Sequence, residues 1–107
     1  MIDTHAHLDK ISEDAVPSMV QRAEKFGITD IVTVGMDVDS SKTAVSLALK
    51  YSQVHAAVGI HPWEASRNAG ADALDAIKRI ADSNKVVVAI GEIGLDYVDN
   101  LFTGEVY

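Results

Sequence analysis

The sequence predicts an α/β fold with a parallel sheet, and three observations support that prediction. Short apolar runs alternate along the chain with segments whose apolar residues recur at helical spacing. In three of the runs the Val and Ile residues are near-continuous, which is typical of strands buried on both faces of a parallel sheet. No repeat, charge block or linker rich in Pro and Gly divides the 107 residues, so we expect one domain spanning residues 1–107.

Four strands and three helices are predicted, in the order β-α-β-α-β-α-β with right-handed crossovers. The strand segments are Met1–Thr4, Asp30–Val34, Val54–Ile60 and Val86–Ile90. The first segment is short, and we assign it as a strand mainly because of the residues that follow it.

Each predicted helix is defined by apolar residues that share one face. The first has Val16, Met19, Val20 and Ala23. The second has Ala44, Val45, Ala48 and Leu49. The third has Leu74, Ile77, Ile80 and Ala81, after Gly70 and Asp72. Pro17 fits the opening turn of the first helix and Gly27 ends it, whereas Asp39 or Ser40 is expected to cap the second.

The composition excludes several classes of protein. With 48% apolar and 23% charged residues, the chain is neither a disordered tail nor a fibre. It has no cysteine, so a disulfide scaffold and a thiolate metal site are excluded. No apolar run approaches the ~18 residues of a membrane span, and the N-terminus lacks the features of a signal peptide. We therefore expect a cytoplasmic protein with no membrane partner.

The charge balance bears on the substrate. Nine basic residues stand against 16 acidic ones, which gives a formal net charge of −7. Such a surface does not attract nucleic acid or an anionic membrane unaided. If the substrate is a phosphate ester, bound metal ions could offset its charge.

Chemically distinctive residues follow each predicted strand. His5 and His7 follow the first, Gly35-Met36-Asp37 the second, His61 the third and Glu92 the fourth. Because parallel strands end on one side of a sheet, where α/β enzymes carry out their chemistry, three of the four histidines and a glutamate should meet there.

The His5-x-His7 pair has a spacing that suits a metal ion. Residues two apart on a strand point the same way, so both imidazoles can reach one ion at ~2.0–2.1 Å. A pair of surface histidines is the alternative. Asp3 and Asp9 flank the pair, and either could orient an imidazole or act as a strand-end or helix-entry cap.

Glu92 lies between Gly91 and Gly94, which fit a tight turn or a backbone that closely approaches a ligand. Its carboxylate could be a metal ligand, a general base or an ion-pair partner. His61, followed by Pro62, belongs to the same rim and either lines the site or has a structural role.

Four further residues are assigned more weakly. Asp96 and Tyr97 either order their loop or contact substrate. His55, inside a predicted strand, is interpreted as structural. Trp63 is interpreted as a packing anchor rather than a platform on which a base stacks.

Three segments together resemble the TatD family of metal-dependent hydrolases, among the amidohydrolase-like barrels. They are Ile2-Asp3-Thr4-His5-Ala6-His7-Leu8-Asp9, Gly59-Ile60-His61-Pro62 and Gly91-Glu92-Ile93-Gly94-Leu95-Asp96-Tyr97. They follow the family order and span nearly the whole chain. The last segment is highly specific, whereas the first is shared by several barrel families.

The resemblance implies a parallel TIM-type (β/α)8 barrel, of which this chain would be about the first half. It also implies one or two divalent metal ions (Zn, Mg or Mn) and hydrolysis of phosphodiester bonds, typically in DNA. By position, His5 and His7 resemble ligands of the first metal, and Glu92 resembles the carboxylate that bridges both. His61 resembles a residue that lines the catalytic site, with Glu92.

The chain departs from this family in length, because such a barrel needs about 250 residues and the sequence has 107. The family places further ligands on later strands. We therefore expect little nuclease activity from this chain alone. Truncation of a longer chain is the favoured explanation, and a second chain that supplies the rest, or pairing of two copies, are the alternatives. Apolar side chains from Ile31 to Val34 and from Val86 to Ile90 would face water and drive self-association.

Two other functions stay open. One is a non-catalytic remnant that holds a single ion through His5, His7, Glu92 and a water. The other is a different amidohydrolase-like enzyme or a polymerase-and-histidinol-phosphatase-type phosphoesterase, which also opens with a His-x-His strand. The segment from Gly91 to Tyr97 argues against the latter.

Overall fold

A four-stranded parallel sheet forms the centre of the molecule, and each strand pairs with the next one along the chain. The computed structural model describes residues 1–68 and 70–97. The strands are β1 (Ile2–Ala6), β2 (Asp30–Val34), β3 (Val54–Val58) and β4 (Val87–Ile90). The predicted parallel α/β fold is thus confirmed.

The helices connect successive strands. Within the described residues they are a short 3-10 helix (Leu8–Lys10), α1 (Val16–Lys25), α2 (Val38–Lys50), α3 (Pro62–Asn68) and α4 (Ala71–Ser83). The three predicted helices are present as α1, α2 and α4, and the structure adds α3 and the 3-10 helix, which are too short to carry an apolar stripe. None of the helices in residues 1–68 and 70–97 is long and apolar enough to cross a membrane.

The strand boundaries differ from the predicted ones at the end that carries the histidines. β1 continues to Ala6 instead of ending at Thr4, because Ala6 still pairs with Thr33 of β2 after an irregularity in the register. His5 therefore lies inside β1 and not after it. At the same edge, β3 ends at Val58 rather than at Ile60.

The N-cap of α2 is Asp37, so the prediction of Asp39 or Ser40 was wrong. The Asp37 carboxylate accepts a hydrogen bond from the Ser40 backbone N–H at 2.7 Å. In return the Ser40 hydroxyl accepts one from the Asp37 backbone N–H at 3.0 Å. This reciprocal capping box satisfies two N–H groups that the first turn leaves unpaired. The Ser40 hydroxyl also donates to the carboxylate, which lowers the pKa of Asp37.

The other helix signals are confirmed with two exceptions. α1 buries Val16 and Val20 and ends before Gly27, whose φ of 87° lies in the left-handed region that favours glycine. In α2 the buried face is centred on Ala44 and Ala48, so Leu47 is buried and Leu49 is exposed. Leu74 of α4 is exposed in the same way.

His55 contacts Asp30 at the edge of the sheet where the strands begin. Its Nε2 lies 2.8 Å from the Asp30 carboxylate, and this hydrogen bond is the main reason why the pKa of Asp30 is lowered. Since the pair lies at the opposite edge from His5 and Glu92, it supports the structural interpretation of His55.

Candidate metal centre

Three residues from the first and last strands meet at the carboxyl edge of the sheet. The ligand atoms of His5, His7 and Glu92 all lie within 4.8 Å of one another. The two imidazole Nε2 atoms are 3.2 Å apart. The Glu92 carboxylate lies 3.7 Å from His5 Nε2 and 3.6 Å from His7 Nε2. The structure thus brings together the three residues that the sequence proposed as metal ligands.

Backbone contacts fix the position of Glu92. The chain leaves β4 at Gly91, whose N–H donates to the Val58 carbonyl at 2.9 Å. The N–H of Glu92 then donates to the Gly35 carbonyl, also at 2.9 Å. A Cβ at Gly59 would lie only 2.5 Å from the Glu92 carbonyl oxygen, so this close approach needs glycine there. The loop that carries Glu92 is therefore held against the ends of β2 and β3.

A hydrogen bond to the backbone determines which nitrogen of His7 is free. Its Nδ1 lies 3.1 Å from the Val34 carbonyl oxygen. A carbonyl only accepts, so Nδ1 carries the proton and, in the neutral ring, Nε2 presents a lone pair towards Glu92 and His5. This is the arrangement in which metal-binding histidines are held by an outer partner.

The flanking aspartates do not orient the imidazoles. Asp3 accepts a hydrogen bond from the backbone N–H of His5 at 3.1 Å. Asp9 is largely buried, and its carboxylate lies 3.8 Å from the Lys10 ammonium. The orienting partner of His7 is the Val34 carbonyl instead, a main-chain atom that residue types alone do not reveal.

The chemistry and spacing of the three side chains fit a divalent ion. Ligand bonds of ~2.0–2.1 Å in a tetrahedral arrangement place ligand atoms about 3.3–3.4 Å apart. The observed separations of 3.2, 3.6 and 3.7 Å are close to this value. Two imidazole nitrogens at 3.2 Å also repel unless a proton or a cation lies between their lone pairs. Two histidines and one glutamate form a recognised zinc-ligand set with a further position open.

His61 borders the cluster but presents a donor rather than a lone pair. Its Nδ1 lies 3.1 Å from the backbone nitrogen of Trp63, whose N–H donates to it. In the neutral ring the proton is therefore on Nε2, which lies 4.0 Å from the Glu92 carboxylate. The geometry separates His61 from the ligand set and fits a residue that lines the site.

Comparison with known proteins identifies the family of the chain. The family described as TatD related DNase matches residues 2–104. The chain belongs to the TatD family. A metal-dependent hydrolase TatD of Mycobacterium tuberculosis is 36% identical over 99 residues, which cover 90% of this chain and 37% of the relative. A 3'-5' ssDNA/RNA exonuclease TatD of Edwardsiella piscicida is 36% identical over 92 residues, which cover 82% of this chain and 34% of the relative.

A solved structure matches over the same region. The TatD homologue YjjV of Escherichia coli superposes with a TM-score of 0.83 at 29% identity, over 92% of this chain and 38% of that one. The chain thus has the parallel α/β architecture of the TatD barrel and spans less than two-fifths of the length of these relatives.

The residue types alone do not point to Ser41 as a contact near the candidate site. Its hydroxyl is fully buried in α2, accepts from the Gly59 N–H at 3.2 Å and lies 3.3 Å from the Gly59 carbonyl. Ser41 thereby connects α2 to Gly59, the same residue that the Glu92 loop approaches. A serine inside a helical pattern carries no signal of this contact, because its partner is distant in sequence.

Trp63 does not behave as the predicted packing anchor. Its side chain is 49% exposed, and its indole N–H donates to the Asp96 carboxylate at 2.8 Å. Asp96 therefore orders the loop after β4, one of the two roles considered for it. Tyr97 is exposed.

Proposed function

We propose that this chain is part of a metal-dependent hydrolase that cleaves phosphodiester bonds in DNA or a related substrate. The observation that carries the proposal is the convergence of His5, His7 and Glu92, with their ligand atoms within 4.8 Å, at the carboxyl edge of the sheet. The names of the relatives, metal-dependent hydrolase and 3'-5' ssDNA/RNA exonuclease, support the reaction class.

In this proposal each side chain has a distinct task. His5 and His7 bind a divalent ion through Nε2, and the Val34 carbonyl holds the His7 ring in the tautomer that leaves this nitrogen free. Glu92 completes the set with its carboxylate. A divalent ion held by these residues would supply the Lewis acidity that lowers the pKa of a water and offsets the charge of the phosphate.

His61 acts beside Glu92. Its Nε2–H is directed to the region of the Glu92 carboxylate, 4.0 Å away, so it can donate to that carboxylate or to a phosphate oxygen. Glu92 has a 26% exposed side chain and can be reached by substrate. Glu92 and His61 are therefore the proposed catalytic pair.

The ligand types bear on the identity of the ion. Two imidazoles and one carboxylate suit Zn²⁺ better than Mg²⁺, which prefers oxygen ligands and retained waters; Mn²⁺ accepts both types. A second ion would need ligands outside this set. Because the chain has a net charge of −7, the ion also supplies the positive charge that a phosphodiester requires.

A second candidate is a protein that binds a metal ion without catalysis. It is favoured by one observation: within residues 1–68 and 70–97, the cluster consists of only three residues, His5, His7 and Glu92. Three residues suffice to hold one ion, whereas a second ion would need ligands from outside this cluster.

Metal titration by calorimetry tests the ligand set. We expect one Zn²⁺ per chain, and at least ~100-fold weaker binding in His7→Ala and Glu92→Gln, because each loses a direct ligand. His55→Gln is the matched control, since it removes a histidine from the opposite edge of the sheet. Wild-type affinity in both ligand variants would contradict the proposal.

Hydrolysis of a labelled single-stranded DNA oligonucleotide tests the reaction. We expect weak or absent turnover from these 107 residues, with any turnover requiring metal and being lost in Glu92→Gln. The second candidate would be favoured if the chain binds one ion but shows no turnover. Turnover should then stay absent when the C-terminal part of a full-length TatD relative is added. Cytoplasmic location and self-association remain predictions from the sequence.

A further inference from the structure

Trp63 is the only tryptophan of the chain and lies beside the proposed metal centre. It is the second residue of α3, which begins directly after His61 at the carboxyl end of β3. Its side chain is 49% exposed although indole is one of the larger apolar groups. An exposed aromatic ring at the rim of a site calls for an explanation other than core packing.

The indole is held in a fixed orientation by its own polar atom. Its N–H donates to the Asp96 carboxylate at 2.8 Å, so α3 is connected to the loop that follows β4. Because this bond satisfies the only polar group of the ring, the part that remains exposed is apolar π surface. The ring is thus prepared for contact with a flat apolar partner.

The ring is also close to the reacting region. Its centroid lies 4.9 Å from that of His61, with the two rings at 71° to each other. His61 in turn has its Nε2 4.0 Å from the Glu92 carboxylate. An edge-to-face contact cannot cover both faces of the indole, so a face is left beside the site.

We propose that Trp63 is a stacking platform for a nucleobase of the single-stranded substrate, next to the phosphodiester held at the metal centre. This inference rests on the proposed function and adds to it the part of the substrate that is recognised. The charge of the chain favours it: with 9 basic against 16 acidic residues, the net charge of −7 opposes rather than supports binding of the strand's phosphates. Stacking on an aromatic ring can supply affinity instead, and it tolerates any base.

The fluorescence of the single tryptophan reports on this contact directly. We expect a short oligothymidylate, added with Zn²⁺, to quench the emission of Trp63. An abasic oligonucleotide with the same number of phosphates should leave the emission unchanged. The two probes carry the same charge and differ in their bases alone.

Variants separate stacking from other effects, with binding followed by the anisotropy of a labelled oligothymidylate. Trp63→Leu should weaken binding by roughly 5- to 150-fold, the range that corresponds to loss of one stacked base. Trp63→Tyr should restore most of it. Phe26→Leu, which removes an exposed aromatic ring just after α1, should bind like the wild type. Circular dichroism and Zn²⁺ titration identify any variant that has lost the fold.

The outcomes distinguish this inference from the proposed function. Equal binding of both oligonucleotides, together with an unaffected Trp63→Leu variant, would overturn the platform and leave a site that recognises phosphate alone. Failure of both oligonucleotides to bind the metal-loaded protein would overturn the platform and the proposed substrate together.

Discussion

Among the histidines that face Glu92, His7 and His61 have the same ring nitrogen, Nδ1, hydrogen-bonded to the backbone, but in opposite roles. In His7 the Val34 carbonyl takes the Nδ1 proton, so Nε2 can bind an ion. In His61 the Trp63 N–H occupies Nδ1, so Nε2 carries a proton and points a donor towards the carboxylate. Main-chain atoms thus assign a ligand role to one ring and a donor role to the other, although the residue type is the same.

These tautomers are measurable by nitrogen NMR of the imidazole rings. We expect neutral His7 to be the Nδ1–H form and neutral His61 the Nε2–H form in metal-free protein, because each neighbouring backbone group allows only that form. Addition of Zn²⁺ should shift Nε2 of His5 and His7 and leave the protonated nitrogen of His61 unchanged. A Zn²⁺-induced loss of the His61 Nε2 proton would make His61 a ligand and contradict its assignment.

Gly59 lies so close to the loop of Glu92 that a side chain does not fit there. An added Cβ would lie 2.5 Å from the Glu92 carbonyl and 2.8 Å from the Gly91 carbonyl carbon. Gly59→Ala should therefore displace the Glu92 loop and lower stability by about 1–3 kcal/mol, a usual cost of overpacking. Zn²⁺ affinity should fall about 10- to 100-fold, as for groups that orient ligands.

Gly91→Ala provides the matched control, measured by urea unfolding and calorimetry. A Cβ at Gly91 meets no atom within 4 Å in the described structure, so this variant should retain stability and Zn²⁺ affinity. Equal behaviour of the two variants would show that the contact between Gly59 and the Glu92 loop does not hold the site.

At the scale of elements, the sequence predicts what depends on local pattern. The four apolar runs located the strands, and the three apolar stripes located α1, α2 and α4. The pattern could not locate α3, which is a single short helix begun at Pro62 without a repeating stripe. It also misplaced the N-cap of α2, because Asp37, Asp39 and Ser40 are all good capping residues and only the backbone geometry selects among them.

The capping assignment can be tested by comparing two aspartates in the same turn. Asp37→Ala should destabilise the protein by about 1 kcal/mol, because it removes the acceptor for the Ser40 N–H. Asp39→Ala should cost less, since Asp39 lies inside the first turn and contributes only through the helix dipole. Urea unfolding at neutral pH measures both; a larger effect of Asp39→Ala would contradict the cap.

The effect of Asp37→Ala should also depend on pH. Hydrogen bonds from Ser40 lower the pKa of Asp37 in the folded protein below its ordinary value of 3.8. The carboxylate therefore contributes stability above that ordinary pKa, and the contribution is lost as the pH falls through the lowered value. The stability difference between wild type and variant should be largest at neutral pH and shrink below about pH 4.

At the scale of the whole molecule, the candidate site could be predicted because it depends on topology. Parallel strands bring their carboxyl ends to one edge, so Glu92 meets His5 and His7 although it is far from them in sequence. The partners that adjust the site could not be predicted, because the Val34 carbonyl, the Ser41 hydroxyl and the Gly59 backbone act through tertiary contacts. The assignment of residues 1–107 to one domain remains a prediction.

The strands differ in how far their apolar side chains are exposed. Ile31 and Val34 of β2 are buried, so the expectation that they face water was wrong. The expectation holds for β4, where Val88 is 57% and Ile90 is 53% exposed. β4 is also an edge strand among the described residues, so one side of its backbone is left unpaired there. Among the described residues, the central strands β2 and β3 have a neighbour on both sides, whereas β1 and β4 have one on a single side.

We therefore expect the chain to self-associate through β4. Burial of a few hundred Å² of apolar surface is worth several kcal/mol at roughly 25 cal/mol per Å², before the entropic cost of association. The net charge of −7 opposes contact between copies, so association should strengthen as salt screens this repulsion. Sedimentation velocity at micromolar concentration should show dimers or larger species. Ile90→Lys should reduce the fraction of these species. The control Phe26→Lys, which replaces an exposed ring just after α1, should leave that fraction as in the wild type. A single monomer boundary at both low and high salt would contradict this prediction, because it would show that neither the exposed side chains nor the open edge of β4 binds a second copy.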